Sequence, residues 1–431
     1  MAGGPDAARD RLVDELREGG RLGDPAVEAA FRNVPRHLFL PGLTATEAYQ
    51  DEAFVIKADA DGMPLSSSSQ PAIMAIMLEQ LGVAPGQRVL EIGTGTGYNA
   101  ALMARLVGDR GTIVTVDIDD ALAARARENL AAAGYPGVIV LSGDGGFGAP
   151  RYAPYDRVIV TAGAWDLAPA WFAQLAPGGR LVVPLSLRGV QLCVALERQD
   201  GHWRSRSACR CGFIRMAGSF ASPEPFLALG PQPGLHVQAD DGGSLDVPAL
   251  QSALFGAVTD VAAGVRVAGL GELGDADFWV TITGTDLVRL TVTGAGPLRA
   301  GVMPLLPFGA LAGSPGAHQP DWAGDFGVAA LIPSRPPAPP PLSSLSSSSS
   351  SSGGGRRHAG VGVVVRGFGP VGGELARWLA GRVRAWAERG RPEASGLRVA
   401  AYPRQVPVPD RPGQVILERP HARLVLSWPA A

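Results

Sequence analysis

Ten residues, Val89-Leu90-Glu91-Ile92-Gly93-Thr94-Gly95-Thr96-Gly97-Tyr98, constrain this chain more than any other stretch. An apolar run ends in an acid and then in glycines spaced G-x-G-x-G. That pattern reads as a buried strand, a tight turn and the start of a helix. Glycine lets the backbone approach a ligand because no Cβ stands in the way, and a helix start offers unpaired N–H groups. A second apolar run, 112–116, ends at Asp117, where an acid can grip a ribose. A third, 138–141, ends in Ser142-Gly143-Asp144-Gly145. A fourth covers 155–162, and 175–184 reads as a Pro-Gly-Gly turn and a fifth strand. Strands alternating with helices in this order imply an α/β, Rossmann-like domain with a mainly parallel sheet and right-handed crossovers. Its ligand should lie at the carboxyl ends of the strands.

The same residues discriminate between cofactors. A dinucleotide fingerprint reads G-x-G-x-x-G and holds a pyrophosphate on backbone amides. Here the third glycine arrives one residue early, and Glu91 would repel a pyrophosphate. A carboxylate there suits the cationic methionine end of S-adenosylmethionine. The expected cofactor contacts are Glu91, Gly93, Thr94, Gly95, Gly97, Asp117, Ile118, Asp144 and Gly145, with Asp144 accepting a hydrogen bond from the adenine amino group. A doubly wound domain that has Gly turns and no cofactor is the competing reading, and several acid-tipped strands in this order argue against it.

Residues from about 25 to 220 resemble the protein-L-isoaspartate O-methyltransferase family. The resemblance rests on Val34-Pro35-Arg36-His37-Leu38-Phe39, Ala48-Tyr49-Gln50-Asp51, Ser69-Gln70-Pro71, Glu91 to Tyr98, Gly143-Asp144-Gly145 and Gln174-Leu175-Ala176-Pro177-Gly178-Gly179-Arg180-Leu181. It implies a class I S-adenosylmethionine-dependent methyltransferase acting on an aspartyl or isoaspartyl side chain of a peptide or protein. The ester formed would close to a succinimide and open to aspartate and isoaspartate. Two departures bear on the substrate. The segment Met63-Pro64-Leu65-Ser66-Ser67-Ser68-Ser69 differs from the family's Thr-Ile pattern before Ser-Gln-Pro, and the chain continues for roughly as many residues again. With Gly367-Phe368-Gly369-Pro370 and a Trp-bearing segment from 378 to 386, it is similar to the isoaspartyl-type methyltransferases of ribosomally made peptide pathways, including FxLD systems. That points to tailoring of a modified precursor peptide. General isoaspartate repair and small-molecule methylation are the alternatives.

The resemblance places Ser69 beside the reacting methyl as the catalytic residue. The residues themselves allow a second reading, in which Ser66 to Ser69 form a polar loop and Ser69 caps the helix that begins near Pro71. Ser68, Gln70 and Thr161 complete the expected substrate side. A carboxylate is already ionised at neutral pH, so methyl transfer to it requires alignment and dehydration rather than a strong base. Cys209 and Cys211 lack a second pair and a nearby histidine. They read as thiols in a strand, and no metal is expected.

The net charge of -2 gives no electrostatic case for nucleic acid. Of 38 basic residues only Lys57 is a lysine. No run of about 18 apolar residues suggests a membrane span, the N-terminus has no export-type apolar core, and sparse cysteines suggest a reduced compartment. The expectation is a cytoplasmic protein.

At 431 residues, two domains are expected: a methyltransferase domain over 1–222 and a C-terminal α+β accessory domain over 223–431, interrupted by a Pro/Ser/Gly-rich segment at 333–357. Within the second domain, 248–263 reads as a helix, 278–283 and 288–292 as strands, 326–332 as a strand, and 373–389 as a helix.

Overall fold

A computed structural model describes residues 4–60, 62–223, 226–228, 235–238, 247–254, 256–284, 288–292, 310–313, 327–333, 360–408 and 411–429. They form two compact units. One comprises Met1–Leu187, Gln191–Ser222 and Leu397–Pro429; the other comprises Arg188–Val190, Pro223–Gly396 and Ala430–Ala431.

The first unit opens with helices α1 (Pro5–Glu18), α2 (Pro25–Asn33) and the short α3 (Ala45–Ala48). In α1, Ala8, Leu12, Val13 and Leu16 fall on one face and are buried, the one-sided apolar pattern that drives a surface helix onto a core. Asp24 caps α2 by accepting the N–H groups of Ala26 and Val27, and Pro25 occupies its first turn. A two-stranded antiparallel hairpin follows, β1 (Phe54–Ala58) with β2 (Pro64–Ser68). The serines expected in a polar loop therefore lie largely in a strand. Next is α4 (Pro71–Leu81), and Ser69 does not cap it. Its N-cap position is Gln70, which makes no side-chain cap. Asp51 supplies the acceptor, taking the Ala72 N–H at 2.8 Å.

The alternating core then runs β3 (Arg88–Ile92), α5 (Tyr98–Val107), β4 (Thr112–Asp117), α6 (Asp120–Ala132), β5 (Ile139–Ser142), β6 (Tyr155–Val160), α7 (Pro169–Ala173) and β7 (Leu175–Leu187), closing with β8 (Val190–Gln199) and β9 (His202–Cys211). β3 pairs in parallel with β4 and β6, β4 with β5, and β6 with β7; β8 and β9 are antiparallel. Cys209 and Cys211 are strand residues in β9, Cys209 opposite Cys193 of β8. Among the described residues no group of His, Cys, Asp or Glu is arranged to hold a metal, and no helix is long and apolar enough to cross a membrane.

The second unit is a seven-stranded antiparallel sheet. Its strands are β10 (Phe226–Ala228), β11 (Leu235–Gln238), β12 (Val258–Val267), β13 (Val288–Val292), β14 (Ala310–Gly313), β15 (Gly327–Pro333) and β16 (Val361–Phe368). Helices α8 (Val247–Leu254), α9 (Leu270–Thr283) and α10 (Gly372–Glu388) accompany them. Two expectations fail here. The helix expected over 248–263 is split into α8 and β12. In β12, Ala263, Val265 and Val267 alternate into the interior, the strand period. The strand expected at 278–283 is the end of α9. That helix buries Phe278, Trp279, Val280 and Ile282, so it has no polar face to reveal its period. Thr281 and Thr283 donate their hydroxyls to the carbonyls four residues back. Most of the Pro/Ser/Gly-rich stretch expected to be flexible lies outside the described residues, from 334 to 359. β15 and β16, on either side of it, pair directly.

A third expectation is corrected at the C-terminus. The expected accessory domain spans 223–431, yet β17 (Arg398–Pro403), β18 (Val415–Glu418) and β19 (Ala422–Ser427) belong to the sheet of the first unit. Its order is β18-β19-β17-β9-β8-β7-β6-β3-β4-β5. β17 pairs with β9, and the Val399 N–H donates to the Ser205 hydroxyl at 2.9 Å. Linear position gave no hint of this pairing, because it spans nearly two hundred residues.

Candidate active site

In the parallel half of the sheet, β3 lies between β4 on one side and β6 on the other. Strand order reverses there, and a crevice opens beyond the carboxyl ends of the strands. A cavity of about 260 Å³ occupies that position. Gly93, with φ +99°, and Gly95, with φ +53°, form the turn out of β3. A Cβ on Gly93 would stand 2.5 Å from the Thr161 hydroxyl, so glycine is required both by backbone conformation and by crowding.

Glu91, the residue before the last of β3, is fully buried. Its Oε1 accepts from Asn99 Nδ2 at 2.7 Å and its Oε2 from the Thr115 hydroxyl at 2.7 Å; Thr115 in turn shares a 2.7 Å hydrogen bond with Thr94. Burial pushes the carboxyl up to about 7, against the opposing effect of those two donors. Asn99 Oδ1 is a second buried acceptor and has no hydrogen-bond partner among the described residues. Both residues line the cavity. A cationic group placed between them would satisfy the orphaned oxygen and stabilise the carboxylate.

Asp117 ends β4 and is also nearly buried. One carboxylate oxygen accepts the Gly95 N–H at 2.9 Å and the other the Asp119 N–H at 3.0 Å. The acid is thus tied to the glycine turn and lines the cavity beside the half-exposed Ile118. Asp119 caps α6 and pairs with Lys57 of β1, and that pairing holds its carboxyl below the ordinary value. This residue set fits S-adenosylmethionine: buried acceptors for a charged amino group, an acid for ribose hydroxyls, and apolar surface for a base.

The other expected residues divide. Thr94, Gly145, Ser68, Ser69 and Thr161 line the cavity. The Thr161 hydroxyl is engaged with the Gly93 carbonyl at 2.7 Å, so it shapes the turn. Gly97 does not line the cavity; it sits at the start of α5, close against Leu130. Gln70 is turned to Asp51 at 3.0 Å. Asp144 is also absent from the lining. Its oxygens accept the N–H groups of Gly146 at 2.8 Å and Ser219 at 2.7 Å. Partial burial raises its carboxyl, yet these donors hold it below the ordinary value.

Besides Asn99, three contributors lie outside the expected site residues. Lys57 and Arg215 line the cavity, and nothing local in the sequence marks either. Arg36 is fully buried. It donates to the carbonyls of Ala48 at 2.9 Å and Ser69 at 3.1 Å, and more weakly to that of Glu52 at 3.4 Å. Its guanidinium lies 5.1 Å from the centre of the Tyr98 ring, and burial lowers its pKa. Arg36 therefore positions the backbone of Ser69. An arginine inside the apolar stretch Val34-Pro35-Arg36-His37-Leu38-Phe39 was the available signal.

Comparison with known proteins gives a consistent result. Residues 7–220 match the family described as protein-L-isoaspartate(D-aspartate) O-methyltransferase. A protein-L-isoaspartate O-methyltransferase of Methanoregula boonei is 42% identical over 212 residues, covering 49% of this chain and 94% of the relative. One from Methanopyrus kandleri is 40% identical over 220 residues, covering 51% of this chain and 95% of the relative. A solved structure titled protein-L-isoaspartate O-methyltransferase is 25% identical, covering 67% of this chain and 98% of its own, with a TM-score of 0.47.

Proposed function

The chain belongs to the protein-L-isoaspartate(D-aspartate) O-methyltransferase family, and we propose that it methylates an aspartyl or isoaspartyl carboxylate in a peptide or protein. The enzyme is an S-adenosylmethionine-dependent methyltransferase. The observation that carries the site assignment is the buried pair of acceptors, Glu91 and Asn99 Oδ1, at the head of the glycine turn. We assign them to the amino group of the cofactor's methionine end, Asp117 to its ribose, and Ile118 and Gly145 to the adenine side. Thr94 and the Gly95 backbone shape the floor of the cavity.

S-adenosylmethionine would supply an electrophilic sulfonium methyl to a carboxylate oxygen and leave, as its methyl–sulfur bond breaks, as neutral S-adenosylhomocysteine, so that no proton has to be removed. The residues around the substrate need only hold the carboxylate in line and exclude water. Ser69 is the residue assigned to orient it by a donated hydrogen bond, with Ser68 and Thr161 supporting the wall. Arg36, through the Ser69 carbonyl, fixes the serine's position.

Tailoring of a dedicated precursor peptide is the second reading. Two observations favour it: the relatives above match only about half of this chain, and the Ser-rich segment forms a hairpin beside the cavity. The test uses the full chain, labelled S-adenosylmethionine and two peptides differing only in aspartate or isoaspartate. Labelling of the isoaspartyl peptide alone supports repair, and labelling of the aspartyl peptide alone supports tailoring. Labelling of neither, with transfer to a free small carboxylic acid instead, refutes peptide methylation.

A further inference from the structure

Phe213 to Ala217 line the cofactor cavity, and the next three residues touch the side assigned above to adenine. A Cβ on Gly218 would stand 2.9 Å from Ile118 Cδ1. The Ser219 N–H donates to Asp144 at 2.7 Å. A Cβ on Gly146 would stand 2.2 Å from the Phe220 ring. Three other rings surround that of Phe220. Those of Trp171 and Phe147 lie 6.5 and 6.4 Å away, centre to centre, and Trp171 Nε1 donates to the Gly145 carbonyl at 2.9 Å. The third is nearer, at 5.0 Å, and comes from far along the chain: it is His421, in the turn between β18 and β19. His421 is itself anchored. One oxygen of the buried Asp166 accepts its N–H at 2.8 Å and pairs with its ring Nδ1 at 2.9 Å, while the other accepts the Leu167 N–H at 2.7 Å. Three residues before Asp166, Gly163 donates its N–H to the Ile214 carbonyl at 2.8 Å and accepts the Met216 N–H at 2.9 Å. Segment 213–220 is therefore held at 214–216 by Gly163 and at Phe220 by His421.

We propose that His421 is a positioning residue for cofactor binding: packed on Phe220 and anchored by Asp166, it holds the 213–220 wall in the conformation that receives S-adenosylmethionine. The proposal rests on the assignment of Ile118 and Gly145 to adenine given above. It adds a contributor from outside residues 7–220, the segment that matches the family. Ring pairs at this spacing contribute enough that loss of one should weaken cofactor affinity about fivefold. The His421 side chain is 43% exposed, so truncating it removes a contact without opening the core, and Asp166 keeps the backbone N–H of residue 421.

The experiment uses the full chain and reads S-adenosylhomocysteine affinity by titration calorimetry in wild type, His421→Ala, Phe220→Ala and the double variant. His421→Ala should bind about fivefold more weakly. It should add nothing in the Phe220→Ala background, because two residues acting through one contact are not additive. Hydrogen exchange without ligand should be faster in His421→Ala over 213–220. In transfer to an isoaspartyl peptide, KM for S-adenosylmethionine should rise with kcat unchanged. His202→Ala is the control. It removes a histidine ring stacked on Tyr402 of β17 and should leave affinity unchanged. The proposal is overturned if His421→Ala binds like wild type, if its effect adds in full to that of Phe220→Ala, or if kcat falls with KM unchanged. An equal loss in His202→Ala also overturns it, because the effect is then general destabilisation. Ile118→Ala tests the adenine assignment separately. Unchanged affinity there, with the coupling of His421 to Phe220 intact, removes the assignment and leaves the positioning role. Weakened binding in Ile118→Ala with none in His421→Ala does the reverse.

Discussion

Replacing Glu91 with Gln should move stability and cofactor affinity in opposite directions. Glu91 is fully buried, and its carboxyl is raised from the ordinary 4.5 to about 7. At about 1.4 kcal/mol per pH unit, ionising it inside the cofactor-free protein costs about 3 kcal/mol. The sign follows from proton linkage. Between pH 4.5 and about 7 the unfolded chain has lost this proton and the folded chain has kept it, so stability falls as pH rises through that window. The cost is absent below it and complete above it. An amide removes the cost and fits the site. Its oxygen accepts from Asn99, and its NH2 donates to Thr115, which reverses its own hydrogen bond toward Thr94; the pairs stand at 2.7 Å in the present geometry.

Hydrogen exchange resolved to residues 88–117 reads the first unit alone. At pH 8 it should show Glu91→Gln more protected by about 3 kcal/mol, and the difference should vanish toward pH 4.5. Cofactor binding follows the opposite logic. If the cationic methionine end selects ionised Glu91, the wild-type dissociation constant should improve about tenfold from pH 6 to pH 8. The variant should bind more weakly at pH 8 and show no such slope. Loss of protection in the variant at pH 8 would refute the burial argument. A wild-type affinity that is flat over this range would refute the assignment of Glu91 to the cation.

Three further outcomes are expected. Arg36→Met should cost about 3 kcal/mol, because buried carbonyls of Ala48 and Ser69 lose charged donors; thermal unfolding should register the loss, and Arg36→Lys should not restore it, since an ammonium cannot reproduce the guanidinium's fixed fork. Asp117→Asn should weaken S-adenosylmethionine binding about tenfold by calorimetry, because an amide that donates conflicts with the Gly95 and Asp119 N–H groups the carboxylate now accepts. A chain ending at residue 222 should self-associate on size-exclusion chromatography, because it uncovers β9, where Trp203 and Arg204 now pair with β17.

The part of the site that was legible in the sequence is the part that is local. Glu91, Gly93 and Gly95 lie in one strand-turn run, and Asp117 follows at the end of the next strand, so pattern alone places them on the same crevice. Asn99 belongs to the same run, eight residues after Glu91. Nothing in the residue pattern marks it, because an amide in a first helical turn is common and needs no ligand to explain it. Asp144 obeys the same local rule, but one of its partners is the Ser219 N–H, 75 residues later, which local pattern could not name. The supposed cap at Ser69 fails for a similar reason: Asp51, 21 residues before Ala72, supplies the acceptor. Local chemistry names the kind of acceptor a helix start needs, and only the tertiary structure decides which residue provides it.

The same limit hides from the sequence that the C-terminal strands belong to the first unit, and their place bears on the site. An unpaired β9 would present a row of free N–H and C=O groups to solvent. β17 covers one part of that edge, at Trp203 and Arg204. Trp203 also stacks on Phe172 at 4.3 Å, and His202 on Tyr402 at 4.5 Å. The turn between β18 and β19 is held separately, by the His421 N–H and ring nitrogen on the buried Asp166 carboxylate at 2.8 and 2.9 Å. The other end of β9 carries Arg210 and Cys211 into the wall of a second cavity. One strand thus serves two purposes: its beginning anchors the returning chain, and its end builds part of the second cavity's wall. The residues that complete the catalytic sheet come from both ends of the sequence, so the segment between them is an insertion into the methyltransferase unit rather than an appendage after it.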